Sequence, residues 1–277
     1  MNTFISNYIK QTTYTNPHQY AYLYSDIPND ICSIVKIVNN LLIHPSKLSK
    51  YSDINVNETE IWNNEPKTVF DILKKLAKKN NTSLVNARAN NEKVIVTCRG
   101  FTLLLTSILR HKGIPARARA GFAPYIVKEI NIDHFICECY IKQQQRWVLL
   151  DADFLKIDFD KSEFCYVANV YLDCLSGKKD ALKFGCDDNW GFSYIIMYLN
   201  LDLLCLCKAE YWYNPKTPIT NKLYWSGKTS YNEATKNLST NEKKLLFELA
   251  KLMQYCNENY SRLQDILNND LCLLPKL

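Results

Sequence analysis

Glycine is scarce in this sequence, at seven of 277 residues, and histidine scarcer still at four. So few glycines leave little room for flexible linkers, and no internal repeat or low-complexity block breaks the chain, which excludes a repeat array or a disordered protein. No apolar run is long enough to span a bilayer. The most apolar stretch, Tyr194 to Cys207, is interrupted by Asn200 and Asp202. The N-terminal stretch MNTFISNYIKQTTYTNPHQY has no basic region leading into an apolar run and a small-residue cleavage site. An export signal is therefore not expected, and the odd number of scattered cysteines, eleven, reads as free thiols in a reducing, cytoplasmic setting.

What is present fits a globular protein with a real core: 47% hydrophobic and 22% charged residues. The formal charge of +6 is spread out. Its short clusters, Lys74-Lys75 and Lys78-Lys79, read as solvated helix faces and point away from nucleic-acid or membrane partners.

Apolar spacing predicts a helix over Ile31 to His44, after Pro28 and Asn29 and before Pro45. A second is predicted from Thr68 to about Lys79. A third, amphipathic one carries Phe101, Leu104, Leu105, Ile108 and Leu109 on one face and ends at Gly113 and Pro115. The period then drops to two. Arg117 to Ile126, His134 to Ile141 and Arg146 to Phe154 read as strands of a meander, the last two joined by a polar turn at Lys142 to Gln145. A helix followed by such strands is an α+β layout. Near the C-terminus Ser239 and Glu242 form a capping box for a helix over Thr240 to Asn257.

Three residues carry chemistry in this pattern. Cys98 sits in the first turn of the Leu-rich helix, where unpaired amides and the helix dipole favour a negative charge. There, with a neighbouring cation, a thiol pKa can fall from about 8.5 to roughly 3.5–7.5. His134 opens a strand, and a thiol that attacks acyl groups needs an imidazole to hold the thiolate and protonate the leaving group. A turn centred near Gln143 and Gln144 sets His134 across from the region of Asp151 to Asp153, with His134, Ile136, Glu138 and Tyr140 on one face. Either Asp151 or Asp153 can then orient the imidazole.

The stretches TCRGFTLLLTSILRHKGIPARARAGF, DHFICECYI and RWVLLDADF together resemble the transglutaminase-like superfamily, from about Thr68 to Phe154. The resemblance implies a papain-like, transglutaminase-like α+β core with Cys98 as nucleophile, His134 as general base and acid, and Asp151 as orienter. Asp151 is favoured over Asp153 because it follows Trp147 at the spacing of the family's Trp-containing strand. Gly113, Ile114, Pro115 and Arg117 are implied to be structural. Two positions depart from the pattern: Gly100, where many relatives carry an acidic or small polar residue, and Ala152, where a proline usually follows the aspartate.

The expected organisation is one domain over 1–277, with a helical part at 1–67, the catalytic core at 68–154 and a C-terminal extension at 155–277. The expected activity is acyl transfer from an amide or peptide bond through a thioester on Cys98. A hydrolase (peptidase, amidase or deamidase) is favoured over an acyltransferase, a transglutaminase or an idle scaffold. The partner would be a peptide, protein or small-molecule amide, with no cofactor and no metal.

Other residues take plainer readings. Cys137 with Cys139, and Cys205 with Cys207, lack the spacing of zinc sites and read as core. His18, His44 and His111 fall in loops or at helix ends. Glu138 is expected to make a charge contact, and Arg117 and Arg119 to pair with core acids, with substrate binding as the less common use.

Overall fold

The computed structural model describes residues 3–51, 57, 61–62, 64–213, 215–270 and 272–275. Part of the expected helical N-terminal segment, 1–2, 52–56, 58–60 and 63, lies outside them. The fold is α+β, and the chain forms two compact units. One holds Met1–Ala118 and Phe135–Phe159, the other Arg119–His134 and Asp160–Leu277.

The first unit contains helices α1 (Thr3–Asn7), α2 (Ile31–Leu41), α3 (Val69–Lys79) and α4 (Cys98–His111). Asp30 caps α2 by accepting the Ser33 N–H. Thr68 caps α3 in a reciprocal box with Asp71. The expected α2 stops three residues early because Leu42–Ile43 (β1) leaves the helix to pair in parallel with Val94–Ile95 (β2).

Helix α4 departs from the amphipathic expectation, since every residue from Cys98 to Arg110 is buried. A helix enclosed on all sides must satisfy its polar side chains internally. Arg110 donates to the Ala116 carbonyl (2.9 Å) and to Thr15 Oγ1 (3.0 Å), and Ser107 shares a hydrogen bond with the Tyr24 hydroxyl (2.9 Å). Gly113, at φ 75°, ends the helix in the left-handed conformation that a side chain resists.

Strands β3 (Ala116–Ala123) and β4 (Asn131–Ile141) are neighbours, and each runs through a unit boundary. Strand β5 (Arg146–Asp151) pairs antiparallel with β4, Cys137 opposite Leu150 and Tyr140 opposite Trp147, so the turn centres between Gln143 and Gln144 as expected. Strand β6 (Lys156–Ile157) pairs antiparallel with β5, Leu150 opposite Ile157. Alternation sends Cys137, Cys139, Val148 and Leu150 into a core with Phe101, Leu104, Leu105 and Ile108 of α4. The other face carries Glu138, Tyr140 and Trp147.

The second unit contains β7 (Cys165–Tyr166), α5 (Val167–Leu175), β8 (Phe184–Cys186), β9 (Asn189–Gly191), α6 (Phe192–Leu206), short helices α7 (Pro218–Asn221) and α8 (Tyr231–Ala234), β10 (Lys228–Thr229), α9 (Thr240–Gln254) and α10 (Tyr260–Asn269). Strand β4 starts at Asn131, earlier than its apolar pattern, because Asn131 and Ile132 pair in parallel with Phe184 and Gly185. Strand β3 ends at Ala123, where Pro124 has no N–H for a ladder. The apolar run from Tyr194 forms most of the buried helix α6, which ends at Leu206 with Cys207 as its C-cap. No helix among the described residues is long and apolar enough to cross a membrane.

Candidate active site

Cys98 is the first residue of α4 and is 6% exposed. Thr97 precedes it in extended conformation at the N-cap, yet its side chain makes no capping bond to the helix. Instead both its N–H (2.8 Å) and its hydroxyl (2.6 Å) donate to Glu65 Oε1. Gly100, one of the two departures from the family pattern, is a packing requirement of this chain. A Cβ there would stand 2.5 Å from Val96 Cβ.

Asp151 ends β5 and is buried. Its Oδ1 accepts the N–H groups of Asp153 (3.0 Å) and Phe154 (3.1 Å). That side-chain turn closes the strand three residues before Phe154, where the apolar pattern placed its end. Asp153, the alternative orienter, is committed elsewhere in the same unit. Its Oδ1 lies 2.5 Å from Lys47 Nζ, which also donates to the Asp153 carbonyl (2.8 Å). The second departure, Ala152, gives its carbonyl to the Asn39 amide (2.7 Å).

His134 lies on β4 as the last residue of the 119–134 segment of the second unit, whereas Cys98 and Asp151 belong to the first. It is 2% exposed, and Tyr125 meets its ring edge-on at 6.0 Å between centroids. The preceding residue, Asp133, receives the Tyr198 hydroxyl on Oδ2. Burial pushes the Asp133 carboxyl above the usual aspartate range, against the opposing pull of hydrogen bonds from Tyr198, Cys186 and Tyr194 and of the His134 charge.

The sign of this shift fixes a pH effect. Between the ordinary aspartate value and the raised one, the folded protein keeps a proton that the unfolded chain has lost, so stability from this group falls as pH rises through that window. Denaturant unfolding of wild type and Asp133→Asn across that range should show the wild type losing stability relative to the variant. Parallel curves would contradict the assignment.

The two strand arginines serve acids inside the fold, as expected. In the first unit Arg117 Nε donates to Glu138 Oε2 (2.7 Å), which is the charge contact expected of Glu138, and the guanidinium stacks 4.1 Å over Trp147. In the second unit Arg119 pairs with Asp202 of α6 through two nitrogens, at 2.9 and 2.7 Å. All four side chains are at most 3% exposed.

Cys137, Cys139 and Cys205 are fully buried, in keeping with core packing, whereas Cys207, expected with them, follows the end of α6 and is only partly buried. Burial pushes the Cys137 thiol up to about 12 and Cys139 higher. Among the described residues no group of three or more His, Cys, Asp or Glu is arranged to hold a metal ion. The remaining histidines are at loop and helix ends: His44 caps the turn Pro45–Lys50, His18 contacts the Phe70 ring, and His111 contacts Tyr24.

Sequence reasoning passed over Glu65, which sits in a loop with no periodic signal. Asp202 did leave a mark, as a charge inside an apolar helix.

Comparison with curated proteins gives no match. A solved structure described as "a Putative Cysteine Protease from Cytophaga hutchinsonii" is 17% identical over 60% of this chain and 46% of its own length, with a TM-score of 0.38. The family model described as Transglutaminase-like superfamily matches residues 65–152, about a third of the chain, from Glu65 to Ala152. That span, which is similar to the transglutaminase-like superfamily, holds Cys98, His134 and Asp151.

Proposed function

We propose that this protein is a cysteine-dependent acyl-transfer enzyme that hydrolyses an amide through a thioester on Cys98. The observation that carries the reading is the position of Cys98 as the opening residue of a buried helix within the transglutaminase-like match. His134 is assigned as the general base and acid, and Asp151 as the group that orients the imidazole. The commitment of Asp153 to Lys47 supports Asp151 in that role.

In the proposed cycle the Cys98 thiolate, formed by proton transfer to His134, attacks the carboxamide or peptide carbonyl and forms an S–C bond. Collapse of the tetrahedral adduct breaks the C–N bond, and the imidazolium passes its proton to the departing ammonia or amine. Water, deprotonated by the neutral imidazole, then attacks the thioester. The product leaves as a carboxylic acid that gives its remaining proton to solvent and becomes a carboxylate, and the thiolate and imidazolium are restored.

Incubation with glutamine-containing peptides tests the reading, with ammonia and new carboxylate measured together. Release of both in equal amounts, lost in Cys98→Ala, is the expected result. Incorporation of an added primary amine in place of water would make the chain a transglutaminase. Acyl transfer from CoA thioesters alone would make it an acyltransferase. No reaction with any of these and an inert Cys98 thiol would leave a scaffold.

A further inference from the structure

Glu65 is 7% exposed, yet it has an unusual set of bonds. Its Oε1 takes both donors of Thr97, at 2.8 and 2.6 Å, while Oε2 is buried without a hydrogen-bond partner among the described residues. The charge of Lys75 on α3 interacts with this carboxyl, and its ammonium donates to the Asn64 carbonyl. A threonine at an N-cap ordinarily turns its oxygen toward the first-turn amides, as Thr68 does on α3. Thr97 gives its hydroxyl hydrogen to Glu65 instead and leaves α4 without that cap.

A half-satisfied carboxyl inside a protein weakens the fold, and chains retain such groups where function requires them. Here it grips the residue covalently joined to Cys98. We propose that Glu65 is a positioning residue for the nucleophile. Its two bonds to Thr97 fix the peptide entering Cys98, and with it the direction of the thiol relative to the helix N-terminus. The inference rests on the reading of Cys98 as the nucleophile.

Iodoacetamide alkylation of Cys98, read by peptide mass spectrometry from about pH 5 to about pH 9, tests it in wild type, Glu65→Gln, Glu65→Ala and Thr97→Val. Thermal unfolding alongside confirms that each variant is folded. Glu65→Gln keeps an acceptor oxygen and should keep the wild-type profile. Glu65→Ala and Thr97→Val should slow labelling about tenfold to a hundredfold or move its pH midpoint, as displacement of a reacting group does. A merely structural role would lower the melting temperature and leave that profile in place. If Glu65→Ala does not fold, Thr97→Val decides, since it removes the hydroxyl and spares the N–H. Variants that label like a reactive wild type overturn this inference alone. A wild-type Cys98 that reacts no faster than the exposed Cys32 overturns the nucleophile reading, and this inference with it.

Discussion

Asp202→Ala should lower the unfolding free energy by about 3–5 kcal/mol, the range for breaking a buried ion pair on one side. The loss has two sources in the second unit. The Arg119 guanidinium, stacked 4.6 Å from Tyr166, would be left charged and without its bidentate partner, and the Ala120 N–H, which donates to Asp202 Oδ1 at 3.0 Å, would lose its acceptor. The pair is at most 3% exposed, so solvent screens it little. A double variant, Arg119→Met with Asp202→Asn, removes the charge and keeps an acceptor for Ala120, so it should be less destabilised than Asp202→Ala. Equal loss in both, measured by denaturant unfolding, would show that the ion pair is not what holds this part of α6 to β3.

Asp151→Asn should reduce turnover by on the order of 10⁴-fold, as loss of the imidazole's orienting carboxylate does in other nucleophile, base and acid triads. The fold should survive, because the asparagine carbonyl can still accept the N–H groups of Asp153 and Phe154 that Asp151 Oδ1 now holds. Asp153→Asn is the matched control. It weakens a contact to Lys47, whose side chain is 29% exposed, for a cost of about 1 kcal/mol or less, and should leave turnover near wild type. The reverse ranking, with Asp153→Asn inactive and Asp151→Asn active, would move the orienting role to Asp153.

Much of this architecture was legible in the residues because local signals agreed with the fold. Ser239 and Glu242, and the polar turn at Gln143 and Gln144, each did what their chemistry dictates. Boundaries moved where long-range partners intervened: β4 gained Asn131 and Ile132 by pairing with β8, and β5 stopped where the Asp151 side chain captured the backbone. The amphipathic reading of α4 failed for a related reason. Thr106, Ser107 and Arg110 look like a solvent face in one dimension, but Cys137, Tyr24 and Thr15 arrive from distant segments to satisfy them. Glu65 was illegible because its significance lies in a bond to a residue 32 positions away.

The most direct test of the central claim is the pH dependence of iodoacetamide labelling at Cys98, followed by mass spectrometry against the other ten cysteines in wild type and His134→Ala. Cys137, Cys174 and Cys207 make a quiet background, with thiols pushed by burial up to about 12. The account predicts fast labelling of Cys98 alone below about pH 7, lost in His134→Ala. Labelling of Cys98 no faster than that of Cys32, with or without His134, would contradict it.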